Sequence, residues 1–172
     1  MTAVSEDKYY EEHAALLGHV TLAWNDCHYM VLVIFHTLSG DSWERACATF
    51  CEQNSDHNRR GITRTLMKKV LRTKNDEPMR EKTTELLDKL DKLAVERNLA
   101  THTIWRQVMP EGQVQPHPAL PRSKELQEDF KSQFSRLTAD LRHLLRELQR
   151  YEGGLAVHLD VTGKRLTGRG KS

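Results

Sequence analysis

No uninterrupted apolar run of about 18 residues occurs in this chain, so no membrane-spanning helix is expected. Its most apolar stretch, Tyr29 to Phe35, is too short. Cysteine is scarce: Cys27, Cys47 and Cys51 are three, an odd number, and all fall inside expected helices. They make no disulfide framework. With a polar, acidic stretch from Met1 to Asp7 in place of a secretory leader, they point to a reducing cytoplasm. Charge of one sign is also lacking. The net charge of +2 sets up no strong global field for nucleic acid, so any anion site must be local. Familiar catalytic signatures are missing too. Gly163-Lys164 lacks the surroundings of a phosphate loop, and there is no Gly-x-Ser-x-Gly elbow. Cys47 and Cys51 lie one turn apart with His57 following, but a zinc site needs a fourth ligand. Both read as buried packing, and neither a metal nor a cofactor is expected. No internal repeat is present.

What is present is helical periodicity. The 172 residues, 38% hydrophobic and 29% charged, suit one helical domain with well-charged outer faces. Tyr10, Leu17, Trp24, Val31 and Leu38 recur every seven residues, and Ala14, Thr21, His28 and Phe35 fill a second seam, giving a first helix over about 5–38. Ser39-Gly40-Asp41 stops it. Asp41 with Glu44 suggests a capping pair for a short second helix burying Trp43, Ala46, Cys47, Phe50 and Cys51. After the turn Asn54-Ser55-Asp56, a third helix over about 57–73 turns Ile62, Leu66 and Val70 inward. A fourth follows from Pro78 to His102. Four prolines between Thr103 and Arg122 exclude a continuous helix there. Ile104 to Val108 and Gln113 to Gln115 suggest a short hairpin around Pro110-Glu111-Gly112. Ser123 caps a fifth helix whose seam runs from Leu126 through Phe130, Phe134, Leu141 and Leu148 to Tyr151, with Gly153-Gly154 as its end. The expected architecture is an all-α, up-and-down bundle over 1–154, followed by a basic, Gly-rich and mobile tail over 155–172.

Histidines are frequent along the first helix (His13, His19, His28, His36). They read as packing or surface residues, although His28 sits in the seam and needs a partner if buried. The third helix carries a basic stripe of Arg59, Arg60, Arg64, Lys68, Lys69 and Arg72. This is either a track for an RNA backbone or a solvated face.

The end of the fourth helix differs from the rest. Leu86, Leu90 and Leu93 lead in register to Arg97, and Ala100 and Ile104 continue the seam, so an arginine stands where an aliphatic residue belongs. Asn98 and His102, four apart, share a neighbouring strip. A purely structural reading pairs Arg97 with a carboxylate inside the bundle and lets His102 cap the helix end. The group Arg97, Asn98, three spacer residues and His102, closely followed by Trp105, also resembles the signature of the HEPN superfamily of helical-bundle proteins. A second Arg–His pair, Arg136 and His143, has Leu137 in the polar position and lies off its seam.

The resemblance implies a metal-independent endoribonuclease, with Arg97, Asn98 and His102 as catalytic residues at a site composed across a homodimer. It also implies the setting of a bacterial toxin or phage-defence effector, with an antitoxin or regulatory protein as a possible partner. Histidine suits acid or base work near neutral pH, and an arginine fork suits a phosphorane-like transition state. Trp24 and Asn25 are further candidates for the cleft. The alternative is a non-catalytic dimeric helical module that binds a protein, RNA or nucleotide partner.

Overall fold

Helix α1, Asp7–Ser39, ends at the expected glycine. Gly40 takes φ 65°, which costs a residue without Cβ little, and its N–H bonds the His36 carbonyl at 3.1 Å. The computed structural model describes residues 7–103, 105–108, 113–117 and 130–164. The architecture is the expected all-α bundle, with five α-helices among the described residues and a two-stranded hairpin before the last.

Four local expectations need correction. Helix α2, Trp43–Cys51, is capped by Ser42 rather than Asp41; the Ser42 hydroxyl accepts the Arg45 N–H at 3.4 Å. This helix buries only Ala46 and Phe50, leaving Cys47 half-buried and Trp43 and Cys51 exposed, because nine residues present one narrow inner face. Helix α3, Asp56–Val70, is turned by one position, about 100°, from its expected setting. Arg60, Thr63 and Met67 face inward, whereas Ile62, Leu66 and Val70 are half-buried. Tyr10, placed in the first seam by its spacing, is 64% exposed.

Helix α4, Glu77–His102, follows a short 3-10 turn at Lys74–Asp76. Strands β1, Trp105–Val108, and β2, Gln113–Pro116, pair antiparallel with Trp105 opposite Pro116 and Val108 opposite Gln113. Helix α5, Phe130–Val161, runs through Gly153-Gly154 and does not stop there. The expected boundary at 154 therefore falls inside a helix. The expected cap Ser123, Leu126 and the hairpin tip at 110–112 lie outside the described residues. So does the tail beyond Lys164. Among the described residues, no helix is long and apolar enough to cross a membrane.

The chain divides into two compact units, Met1–Trp24 with Lys92–Arg142, and Asn25–Asp91 with His143–Ser172. The second is built on leucines: Leu71, Leu90, Leu148 and Leu155 are all fully buried. Burial pushes its Cys27 thiol up to about 12, so this cysteine is a packing residue. Tyr151 in the same unit bonds the Met79 carbonyl at 3.1 Å, and burial raises its phenol to about 12.

The first unit has an aromatic centre around His13. Its ring lies 4.3 Å from Trp105, 5.1 Å from Phe130 and 5.7 Å from Phe134, centre to centre. His13 is 4% exposed, and neither ring nitrogen has a hydrogen-bond partner. Desolvation therefore lowers its pKa, and the folded state holds the neutral imidazole. As pH falls through about 6.5, the unfolded chain takes up a proton that the folded chain refuses, so stability is lost on acidification. His13→Phe is expected to remove this share. Melting temperatures of both proteins at about pH 7.5 and about pH 5.5 test it, with the variant gaining on the parent at the lower pH. An unchanged difference would show that His13 charges in place without cost.

Candidate functional site

The last turn of α4 is fixed by its own side chains. The Thr101 hydroxyl donates to the Arg97 carbonyl at 2.9 Å, and the Thr103 hydroxyl donates to the Leu99 carbonyl. The Trp105 indole N–H reaches back to the Ala100 carbonyl at 3.1 Å. Three carbonyls at this helix end thus have side-chain donors. Trp105, which follows the motif, both closes the helix and packs on His13, so the segment carrying Arg97, Asn98 and His102 is anchored to the aromatic centre.

Arg97 is half-buried and its guanidinium lies over the Trp24 ring, 5.3 Å from the ring centre. Its Nη1 donates to Asn98 Oδ1 at 3.0 Å, while its Nε is buried without a partner. Among the described residues no carboxylate pairs with it, so the structural reading that gives Arg97 an acidic partner is not the one realised. Trp24, only 2% exposed, does not line an open cleft; it is the seat on which the arginine rests. That role is hidden in the sequence, because a seam tryptophan reads as core. Asn25 is exposed.

Asn98 and His102 are both exposed, as their spacing of four on one strip requires. Val95, 55% exposed, lies on the same side one turn earlier. No hydrogen bond joins Arg97 to His102. Five positions separate them, about 7.5 Å along the helix axis, and they project from different sides of it. Asn98 links the two sides: its carbonyl oxygen holds Arg97 while its strip carries His102. The other Arg–His pair is tied up separately. Arg136 reaches Glu96 at 3.4 Å, both exposed, and the exposed His143 reaches the half-buried Glu147 at 4.0 Å.

Three arginines of the α3 basic stripe are engaged by carboxylates. Arg60 is 3% exposed, with Nε on Asp91 Oδ1 at 2.7 Å. Its Nη1 donates to His28 Nε2 at 3.1 Å, which supplies the partner His28 needs. Arginine has no acceptor, so Nε2 of His28 carries no proton in this bond, and Nδ1, 3.5 Å from Asp56, is the protonated nitrogen. Arg64 bridges Asp88 at 2.7 Å and Asp91 at 2.6 Å. Arg59 pairs with Asp56 at 3.0 Å and lies over Phe50. Three of the four proposed RNA contacts, Arg59, Arg60 and Arg64, are thus engaged by carboxylates, whereas Lys68, like Lys69 and Arg72 of the same stripe, is exposed with no ion pair among the described residues. The one-position turn of α3 is the cause: it places Arg60 inward, where burial makes a carboxylate partner obligatory. Asp91, held ionised by these two arginines against the opposing effect of burial, is the hub that sequence reading missed.

Arg97→Ala should be nearly neutral for stability. It removes a cation–π contact worth about 0.5–2 kcal/mol and relieves a buried unpaired N–H of similar cost. A urea melt checks this; a loss of about 3–5 kcal/mol would be the mark of a hidden buried ion pair.

Comparison with known protein families, characterised proteins and solved structures finds no match for this chain.

Proposed function

We propose that this chain is a metal-independent endoribonuclease of HEPN type, cutting single-stranded RNA at a site composed across a homodimer, in the manner of a toxin or phage-defence effector. The supporting observation is Arg97. It is oriented by Trp24 and Asn98, and no carboxylate among the described residues neutralises it, so its charge is available to a phosphate. His102 is exposed at the end of the same rigid turn. One chain offers a single Arg97 and a single His102 on different sides of α4. Two chains meeting along the strip of Val95, Asn98 and His102 supply two of each, enough to clamp a phosphate and to move two protons.

The reaction is attack of a ribose 2′-hydroxyl on its own phosphate. The 2′-oxygen bonds phosphorus as its proton passes to a base, and the bond to the 5′-oxygen breaks as that oxygen receives a proton. The products are a 2′,3′-cyclic phosphate and a 5′-hydroxyl. Purified protein should cut single-stranded RNA in the presence of a chelator, and a 2′-deoxy sugar at the cut site should block it. Cleavage that requires a divalent ion, or that leaves a 5′-phosphate, contradicts the reading. Light scattering at micromolar concentration is expected to give a dimer. A strict monomer removes the composite site.

The second reading, a non-catalytic dimeric module, draws on the α3 arginines. Arg59, Arg60 and Arg64 are committed to Asp56, Asp88 and Asp91, which leaves Lys68, Lys69 and Arg72 as the exposed cations of that stripe. A dimer that cuts no RNA yet retains a protein or nucleotide partner would favour it.

A further inference from the structure

The imidazole of His13 sits in a box of three aromatic rings, Trp105 of β1 and Phe130 and Phe134 of α5. Those rings also pack on one another. Trp105 lies 5.7 Å from Phe130 and 5.6 Å from Phe134, and the two phenylalanines are 5.9 Å apart. A phenyl ring would fill this box and leave no polar atom unpaired. The imidazole instead buries both Nδ1 and Nε2 without a partner, a cost that a phenyl ring avoids.

The charged groups on the surrounding elements do not supply that partner. Glu12, next to His13 on α1, pairs with Lys131 of α5 at 2.6 Å. Arg106, next to Trp105 on β1, is exposed. His117 follows Pro116 of β2, which pairs with Trp105, and His102 is exposed at the end of α4. None of them bonds the His13 ring, and burial is what moves its ionisation, downward. A proton therefore finds this ring only when the ring leaves the box. Trp105 connects the box to the candidate site. Its ring packs on His13 at 4.3 Å, and its indole N–H donates to the carbonyl of buried Ala100, between Arg97 and His102, at 3.1 Å. The ring contact and the hydrogen bond belong to one rigid indole, so displacing it breaks both.

We propose that His13 is an acid-operated latch on the turn that carries Arg97, Asn98 and His102: proton uptake holds its ring outside the aromatic box, which releases the Trp105 indole from the Ala100 carbonyl and loosens the turn. The latch is a property of the fold, and its effect on RNA cleavage rests on the nuclease reading above. Its strength follows from linkage. The released ring titrates near 6.5, as an ordinary histidine does, and the boxed ring titrates lower. The closed form is thus favoured above about pH 6.5, and below it each pH unit multiplies the open population by about ten until the boxed ring itself charges. From about pH 7.5 to about pH 5.5 the open population rises about tenfold.

Hydrogen exchange followed by NMR on the full chain tests this. The probes are the Trp105 indole N–H and the backbone amides of Thr101 and His102, and the buried Leu141 amide of α5 is the reference. After correction for intrinsic exchange, protection of the probes should fall about tenfold between about pH 7.5 and about pH 5.5. It should lie below that of Leu141 at both, the mark of a local opening. His13→Phe and His13→Leu should each abolish the pH dependence and keep the probes protected. Equal protection of the probes and Leu141 overturns the proposal, because the ring is then released only with the whole unit. Protection in the parent that does not change with pH also overturns it, because the three rings then hold the imidazolium in place as a cation–π partner. No RNA enters these measurements, so the latch and the nuclease reading fail separately. Where the chain cuts RNA, acid should slow the parent more than His13→Phe, and equal slowing would detach the latch from the site. A chain that cuts no RNA yet shows the exchange pattern keeps the latch and loses the nuclease.

Discussion

His102→Ala is expected to slow RNA cleavage by about 10²–10⁴, the usual contribution of a general acid or base. The assay is single-turnover cleavage of single-stranded RNA in the presence of a chelator. The residue is exposed, so the substitution should leave the fold intact, and a matching melting temperature separates chemistry from unfolding. Arg97→Ala should lose a comparable factor through lost charge stabilisation. Arg136→Ala and His143→Ala, which remove exposed side chains whose only ion pairs among the described residues are long ones to Glu96 and Glu147, should change the rate little. An unchanged rate in His102→Ala would assign the cleavage to a contaminant and leave the binding-module reading ahead.

Asp76→Ala is expected to give the largest loss of stability. The carboxylate is fully buried. It accepts hydrogen bonds from the Thr73 N–H at 2.7 Å and the Thr73 hydroxyl at 2.8 Å, and it bonds His158 Nε2 at 2.8 Å and the Lys164 ammonium. Burial alone would raise its pKa, but Lys164, His158 and Thr73 outweigh it and hold the group well below the usual carboxylate range. Removing it strands Lys164 and His158 and breaks the cap on the turn before α4. The cost should be about 3 kcal/mol, the low end for a broken buried pair, because both partners keep some solvent contact. For a chain of this size that lowers Tm by about 6–12 °C. The sign of the pH dependence follows from the depressed pKa. Asp76 contributes fully above about pH 4, and its contribution drains as pH falls toward its lower folded value. The gap between parent and variant should hold from about pH 7 to about pH 5 and close in stronger acid. A constant gap down to about pH 2 would show that ionisation of Asp76 is not what stabilises this corner.

The sequence by itself determined the helices, the hairpin and the place of the Arg97–His102 segment. Periodicity of three and four, a glycine at 40 and a proline cluster act over a few residues, and the chain obeys them wherever packing does not object. It also marked Arg97 as anomalous, since an arginine in an apolar register is visible without coordinates. Tertiary structure decided what lies on the other side of each contact. Arg60 turned inward because Asp91, 31 positions away, and His28, 32 positions away, offered it partners. Helix α5 crossed Gly153-Gly154 because Leu155 and Leu159 are buried beyond them. Burying two leucines is worth about 3–6 kcal/mol, against about 2 kcal/mol for two helical glycines. Arg97 found Trp24 rather than a carboxylate, and Asp76 found Lys164 and His158, each 73 or more positions along the chain. Local propensity costs tenths of a kcal/mol to about one per residue, whereas an unpaired buried charge costs several. Partners distant in sequence therefore overrule local pattern wherever a charged side chain is buried, and it is at those positions that the chain alone could not be read.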